Sequence, residues 1–248
     1  MASAIVFSRG CAKSQKSQAP TCADTYVDNG GAPLGPPGVV VDDTYVYWTL
    51  VDGYGSVWRQ PQAGGEAELF AEVGGYPRAM AIDASALYVA GGCEGHVWRV
   101  PLGGGAPVSL VASDPVECVH GIAVDATRVY YTTDDGVWSV SLDGGDPVPL
   151  ANPTGCLGTL AASATDLYWT NPCSTVDSTL GAIGTVPKTG GASSIVDPGV
   201  ASGDALAIDA TDVYWAADNY IEYRPLASGT ISMIEPIPAT SAAPFALA

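Results

Sequence analysis

The sequence predicts an all-β fold, a six-bladed β-propeller whose blades are four-stranded antiparallel sheets. Three observations carry this prediction: a unit of about 41 residues recurs through the 248-residue chain, a Tyr-centred apolar triplet occupies the same place in most units, and a Gly-rich turn follows it. A sustained period of this length is typical of propellers and solenoids. We call the Asp or Ser four residues before each triplet the marker; the markers are Asp42, Asp83, Asp125, Ser163 and Asp209.

The third unit shows the pattern of one blade most clearly. Residues 121–125 form an apolar first strand, and residues 129–133 form a second strand that is rich in Tyr and Thr, as β-propensity favours. Residues 137–141 alternate apolar and polar side chains, which predicts a third strand. A tight turn at 143–145 then leads to a fourth strand at 147–150, where Pro suits an outer edge.

The sixth unit is divided between the two termini. Residues 246–248 followed by residues 1–7 continue the pattern, with Ala2 in the marker position. The marker spacings are 41, 42, 38, 46, 41 and, across the junction of the termini, 40 residues. We therefore expect one propeller domain over residues 1–248. In its last blade, residues 240–248 give the innermost strand and residues 3–30 give the other three, a one-plus-three closure that pairs the terminal strand edges.

Charge and hydropathy exclude several classes of function. Nine basic residues against 26 acidic residues give a formal net charge of −17. Nucleic-acid binding requires a basic surface, and anionic membranes also repel such a chain, so neither partner is expected. No apolar run approaches the roughly 20 residues of a membrane span, and the first residues show no signal peptide. We expect a monomer without membrane insertion.

The six cysteines favour disulfides over a metal site, because no Cys-x-x-Cys pair occurs and the chain has only two His. The favoured pairs are Cys11–Cys22, Cys93–Cys118 and Cys156–Cys173, although 15 connectivities are open to six cysteines. Disulfides imply an oxidising compartment. We therefore expect an exported protein, extracellular, periplasmic or on the cell surface.

Two conspicuous sets of side chains are better explained by packing and turns than by chemistry. The six Trp sit at repeated positions, which predicts packing between blades rather than a sugar platform. The marker Asp residues sit at a strand-to-strand turn, where a carboxylate accepts backbone N–H bonds. Neither set is expected to be catalytic.

The triplets and their flanks resemble a known family of repeats. Tyr47-Trp48-Thr49, Tyr130-Tyr131-Thr132 and Tyr168-Trp169-Thr170 are each followed by a Gly-Gly turn. They resemble YWTD repeats, the class B repeats of low-density-lipoprotein receptors, which form six-bladed propellers. The chain also looks like bacterial repeat proteins that are often exported. The final acidic residue of the motif is absent, so the resemblance implies no ligand contact. Its place is taken by Leu50, Thr133, Asn171 and Ala217.

The candidate binding residues lie where the repeats disagree. Five residues before the markers stand Pro37, Arg78, His120, Gly158, Asp204 and Phe245. In a propeller, this position lies near the mouth of the central channel, beside the fourth-to-first and second-to-third strand connections. The predicted ligand-binding residues are Arg78, His120, Asp204 and Phe245, with Asp134, Asp135, Asp218 and Asn219 from neighbouring loops. Four cysteines map to this face, where disulfides either rigidify binding loops or staple loops that lack a core.

Two functions remain open, and the seamless junction of the termini also leaves a purely structural or engineered scaffold as an alternative. The first is a non-enzymatic module that binds a protein, peptide or glycan, without a cofactor. The second is a calcium-assisted hydrolase, lactonase or lyase, which the acidic cluster of Asp204, Asp134 and Asp218 favours because calcium prefers oxygen ligands. No nucleophile elbow, phosphate loop or metal-spaced His cluster occurs in the sequence, which favours the binding module.

Overall fold

The computed structural model describes residues 26–27, 33–34, 38–51, 55–91, 95–111, 118–153, 157–171, 181–200, 205–217, 220–227 and 229–234. Within these ranges the fold is all-β, without a helix. Two short strands, β1 (Tyr26–Val27) and β2 (Pro33–Leu34), pair with each other. Every later strand belongs to one of five four-stranded antiparallel sheets, in which the neighbours follow chain order. This is the arrangement of propeller blades.

The five blades follow one another along the chain. The first contains β3 (Val39–Val41), β4 (Tyr45–Leu50), β5 (Ser56–Pro61) and β6 (Glu68–Glu72). The second contains β7 (Pro77–Ile82), β8 (Ala86–Gly91), β9 (His96–Pro101) and β10 (Val108–Ser109). The third contains β11 (Val119–Val124), β12 (Arg128–Thr133), β13 (Val137–Ser141) and β14 (Val148–Ala151).

The fourth blade contains β15 (Leu160–Ala162), β16 (Asp166–Asn171), β17 (Gly181–Pro187) and β18 (Ser194–Val200). The fifth contains β19 (Leu206–Ile208), β20 (Asp212–Ala217), β21 (Tyr220–Pro225) and β22 (Ser232–Ile234). The first strands of successive blades pack against one another, β3 on β7, β7 on β11, β11 on β15 and β15 on β19. The first strands are therefore the innermost, and the four strands predicted for the third unit are confirmed.

The Gly-Gly turns between third and fourth strands adopt the backbone that their sequence predicts. Gly144 and Gly145 have φ of 83° and 126°, a region that L side chains rarely enter. The corresponding pairs at 64–65, 104–105 and 190–191 also have positive φ at both residues. In the third and fourth blades, the second Gly of the pair also bonds to the preceding blade. Gly145 N donates to Leu110 O over 3.2 Å, and Gly191 N donates to Leu150 O over 3.1 Å.

Each marker Asp closes the turn between the first and second strands and also holds the repeat Tyr. In the first blade, Oδ1 of Asp42 accepts the backbone N–H groups of Thr44 and Tyr45, both over 2.7 Å. Its Oδ2 accepts the Tyr47 hydroxyl over 2.9 Å. The same three bonds recur around Asp83, Asp125 and Asp209. The turn role predicted for these carboxylates is confirmed.

These bonds shift the pKa values of both partners. Burial alone would raise the pKa of Asp42, but its hydrogen-bond donors outweigh burial and lower it. At Asp209 the N–H groups of Thr211 and Asp212 and the Tyr214 hydroxyl lower the carboxyl pKa to about 2. Burial and the bond to the carboxylate raise the pKa of Tyr47 to about 12. The carboxylate is therefore the charged partner throughout the ordinary pH range.

The Trp residues only partly follow the predicted core role. Trp169 and Trp215 are buried, whereas Trp48, Trp58, Trp98 and Trp138 are half-buried. The third-strand indoles differ in their hydrogen bonds, and the buried Nε1 of Trp98 has no partner among the described residues. Trp58 donates to the Ser56 hydroxyl over 3.0 Å, and Trp138 donates to the Thr133 hydroxyl over 3.2 Å. The Trp98 and Trp138 rings pack against buried clusters that include residues of neighbouring blades.

Several predictions fall on the rest of the chain. The terminal strands predicted at 3–30 and 240–248 lie largely or wholly outside the described residues. Each of the three favoured disulfides also includes at least one cysteine outside them. These pairings and the sixth blade therefore stay predictions. Among the described residues, no helix is long and apolar enough to cross a membrane.

Candidate ligand-binding face

The meander of each blade separates two ends of the propeller. The first-to-second and third-to-fourth turns, with the marker Asp residues and the Gly pairs, lie at one end. The fourth-to-first and second-to-third connections lie at the other, which we call the loop face. Of the predicted ligand-binding residues, the structure describes Arg78, His120, Asp134 and Asp135. Arg78 and His120 belong to innermost strands, β7 and β11, near the loop face.

Arg78 and His120 occupy equivalent irregularities in neighbouring blades. The β7–β8 register shifts between Pro77 and Ala79, and the β11–β12 register shifts between Val119 and Gly121. Each shift leaves one residue unpaired with the second strand, Arg78 in one blade and His120 in the next. A β-bulge of this kind re-aims a side chain. The two positions that the repeats leave variable are thus also the positions where the backbone departs from the ladder.

A threonine fixes the backbone at the His120 bulge. The Thr132 hydroxyl accepts the Gly121 N–H and donates to Gly158 O in the fourth blade, both over 2.8 Å. A Cβ on Gly121 would lie 2.5 Å from Gly158 O and 2.7 Å from Leu160 N, closer than atoms can approach. Glycine is therefore required beside His120, and the bulge is anchored to the next blade.

His120 forms a close pair with Asp134. Its Nε2 lies 2.7 Å from Asp134 Oδ1, with the imidazole half-buried and the carboxylate exposed. Asp134 follows the second strand and His120 is the second residue of the first, so the meander brings them together across 14 residues. A carboxylate at this distance fixes the orientation of an imidazole ring. The pair thus presents both a ring and a charge at the loop face.

The loop that carries Asp134 is itself held in place. Asp135 N donates to the Thr133 hydroxyl over 3.2 Å, and the same hydroxyl accepts the Trp138 indole N–H. The Asp135 side chain is exposed. Asp135 thus directly follows Asp134 of the His120–Asp134 pair in the sequence, and its carboxylate is open to solvent.

Tyr76 is a candidate residue that the sequence reasoning missed. It precedes Arg78 by two residues and is 57% exposed, whereas Pro77 between them is buried. Gly74 and Gly75 before it have φ of 76° and 62°, and the N–H groups of Val73 and Gly74 both donate to Gly55 O. The connection is thus well fixed, yet it leaves a large aromatic ring in solvent. Tyr76 lies seven residues before its marker, where other units have Cys118 and Cys156, so a search for variable repeat positions extended to this place would have found it.

The remaining predicted residues are not tested. Asp204, Phe245, Asp218 and Asn219 lie outside the described residues, as does Pro37, and they stay predictions. Arg78 is exposed and makes no ion pair with a described acidic residue. Among the described residues, no group of three or more His, Cys, Asp or Glu is placed to hold a metal ion. The described candidate residues of the face are thus Tyr76, Arg78, the His120–Asp134 pair and Asp135.

Solved structures share this architecture at low sequence identity. A structure from a nidogen/laminin complex aligns with a TM-score of 0.64 and 19% identity, over 80% of this chain and 79% of that chain. A streptogramin B lyase aligns with a TM-score of 0.66 and 15% identity, over 83% and 70% of the two chains. The computationally designed Ika8 protein aligns with a TM-score of 0.62 and 13% identity, over 88% and 66%.

Sequence comparison adds nothing to this likeness. No family model matches the sequence, and no curated protein matches it significantly. The solved structures include both a component of a protein complex and an enzyme, so their functions differ on a shared scaffold. At these identities the likeness shows the fold alone: the chain is a β-propeller.

Proposed function

We propose that the protein is a non-enzymatic binding module that recognises a protein, peptide or glycan on the loop face around the central channel. The observation that carries the proposal is the His120–Asp134 pair, 2.7 Å apart, on a bulge that recurs at Arg78 in the neighbouring blade. Packing and turn residues repeat from blade to blade, but these side chains do not. Residues that break a repeat at a fixed, exposed position are the best candidates for specific contacts.

The chemistry of the face restricts the ligand. Arg78 is an exposed guanidinium, which pairs best with a carboxylate, sulfate or phosphate in a bidentate manner. Tyr76 offers an exposed ring for a sugar or an aromatic side chain. The Asp134 and Asp135 carboxylates accept hydrogen bonds from hydroxyl or amine groups. The proposed ligand therefore carries both an anionic group and hydrogen-bond donors.

The proposal is tested with a glycan array and a peptide array, probed with the wild-type protein and with Arg78→Ala/His120→Ala. We expect the wild type to bind a restricted set of acidic probes and the double variant to lose at least ~10-fold in affinity, about 1.4 kcal/mol. Asp143→Ala/Asp146→Ala, exposed at the opposite end, is the matched control and should bind like the wild type. Equal binding by both variants at unchanged melting temperature would overturn this site.

A metal-assisted hydrolase, lactonase or lyase is the second candidate, because His120 and Asp134 have the spacing of an acid–base pair. It requires a calcium site in the channel that includes Asp134 together with Asp204 and Asp218. Isothermal titration with calcium, and melting curves with and without EDTA, test it. Calcium binding that Asp134→Asn weakens would favour this candidate over the binding module. Absence of binding would count against it.

We also propose that the ring has six blades built from YWTD-like repeats, and that residues 1–248 form one monomeric domain. The equal number of strands in the five described blades and the sixth set of repeat residues at the termini support this proposal. Light scattering of the purified chain checks the monomer, with a mass of 25.2 kDa expected.

We propose that the protein is exported to an oxidising compartment, extracellular, periplasmic or on the cell surface. The even number of cysteines supports it. A thiol count under denaturing conditions, before and after reduction, tests it. We expect no free thiols before reduction and six after it; six free thiols in protein from the native source would contradict it.

A further inference from the structure

Neighbouring blades are joined by one recurring pair of residues. The first member is the repeat Tyr of one blade, and the second is the innermost-strand residue three before the marker of the next. Both members of each pair belong to the same buried cluster. The pairs are Tyr47 with Met80, Tyr88 with Ile122, Tyr130 with Leu160, and Tyr168 with Leu206.

The first blade has the residue that forms the second member of such a pair, but the structure describes no preceding blade that would supply the first member. Val39 lies three residues before its marker and is 45% exposed, whereas its four equivalents are at most 9% exposed. Val41 on the same strand is also exposed, although its equivalents in the other blades are half-buried. An innermost strand with two exposed valines has an apolar face that lacks the covering found in every other blade.

The fifth blade lacks a partner on its opposite side. Tyr214 is half-buried, while the repeat Tyr of each other blade is buried. Ile234 on the outermost strand is 45% exposed, whereas its equivalents Leu110 and Leu150 are 2% and 7% exposed and Phe70 and Val196 are half-buried. The exposed face of the fifth blade is thus the kind of surface that, elsewhere in this chain, the next blade covers.

The two open faces do not cover each other. Successive innermost strands pack together from β3 through β19, but β3 and β19 at the ends of the series are not packed in the same way. The chain has enough residues to fill the space between them. The 14 residues after β22 and the 38 residues before β3 make 52 residues. Elsewhere in the chain, the segment between the last strand of one blade and the first strand of the next blade but one spans one whole blade. Such segments contain 46 residues from β6 to β11, 50 from β10 to β15 and 54 from β14 to β19.

We propose that residues 240–248 and 3–30 occupy this space, with Leu247 against the Tyr214 and Ile234 face and Phe7 against the Val39 and Val41 face. Leu247 lies three residues before the sixth marker, Ala2, and Phe7 lies five residues after it, so Leu247 has the repeat position of Leu206 and Phe7 has that of Tyr168. Residues 240–248 carry no charged side chain, which suits an innermost strand. The ring is closed by two residue contacts that join the termini to the first and fifth blades, independently of what the loop face binds.

The test uses two valines of nearly equal exposure. Val39→Lys places a charge on the proposed interface, and Val108→Lys places one on the outer strand β10, where the valine is 51% exposed. If the sixth blade covers Val39, the first variant loses about 5 °C or more in melting temperature because a lysine is buried there. The second variant should stay within about 1 °C. Similar small effects at both positions would overturn the proposal.

Variants in the termini give an independent measurement. Phe7→Ala and Leu247→Ala should each lower the melting temperature by about 5 °C or more, with Val108→Ala unchanged. Hydrogen exchange by mass spectrometry should show protection of residues 240–248 in the wild-type monomer. Rapid exchange of these residues, with harmless substitutions at positions 7 and 247, contradicts the proposal. A concentration-dependent dimer that exchanges rapidly at both termini would instead show that a second copy covers the faces.

Discussion

At the residue scale, the marker and the repeat Tyr form one unit that explains why both recur. The carboxylate satisfies two backbone N–H groups and a phenol hydroxyl at once, and a hydrogen bond to a charged group contributes more than a neutral one. The fourth blade shows what a weaker marker keeps. Ser163 still accepts the Asp166 N–H over 2.9 Å and the Thr165 N–H over 3.3 Å, but a single hydroxyl replaces both carboxylate oxygens.

Asp125 adds a link to the next blade, because Lys188 of the fourth blade approaches its Oδ2 to 2.9 Å and lies over the Tyr130 ring. We predict that Asp125→Asn lowers the free energy of unfolding at pH 7 by about 1–2 kcal/mol. Asp143→Asn should have no effect, because the Asp143 side chain is exposed in a turn. Urea unfolding followed by Trp fluorescence measures both, and a loss as small as that of Asp143→Asn contradicts the role given to Asp125.

The lowered pKa of the marker carboxylates also predicts acid sensitivity. In the folded protein the pKa of Asp209 is about 2, against an ordinary value of 3.8. Burial would raise the pKa of Asp125, but the hydrogen bonds from Lys188 and its other donors outweigh burial and lower it. As the pH falls, these carboxylates therefore take up protons in the unfolded chain before they do so in the folded protein. The stability that they contribute is present above pH 3.8 and is lost as the pH falls towards about 2. Urea midpoints across this range should fall steeply for the wild type and less for Asp125→Asn. Parallel curves would count against this origin of acid unfolding.

At the scale of strands, the bulge at His120 depends on a glycine. We predict that Gly121→Ala lowers the free energy of unfolding by about 2 kcal/mol or more, because its Cβ would lie 2.5 Å from Gly158 O. Gly103→Ala is the matched control, since a Cβ there meets nothing within 4 Å. Thermal melting compares the two variants. A Gly121→Ala protein as stable as Gly103→Ala would mean that the bulge readily relaxes.

The strands were more predictable from the sequence than the site. Residues 137–141 match β13 at both ends, because period-two alternation and a Gly-Gly turn are local properties. The bulges at Arg78 and His120 depend on the register of a partner strand, which no local pattern encodes. The His120–Asp134 bond and the exposed Tyr76 are likewise consequences of the assembled blades. Variable repeat positions could point to the place, but only the backbone shows which side chains meet there.

At the scale of the whole molecule, the propeller holds a large negative charge on a small ring. The 26 acidic residues face only nine basic ones, and just three ion pairs occur among the described residues. Like charges on a compact body repel more strongly than on an unfolded chain. Burial between the described blades, together with the proposed closure by the termini, must therefore hold the molecule together against this repulsion.

This balance predicts how stability responds to salt. At pH 7, raising NaCl from about 10 mM to about 0.15 M shortens the Debye length from roughly 30 Å to 8 Å and should raise the melting temperature by a few degrees. Near pH 4.1, the sequence isoelectric point, the same addition should change it little, because the net repulsion is gone. Differential scanning calorimetry at the two pH values measures the contrast, and potassium chloride in place of sodium chloride controls for ion identity. A melting temperature that falls with salt at pH 7 would mean that attractive ion pairs outweigh the repulsion between the acidic residues.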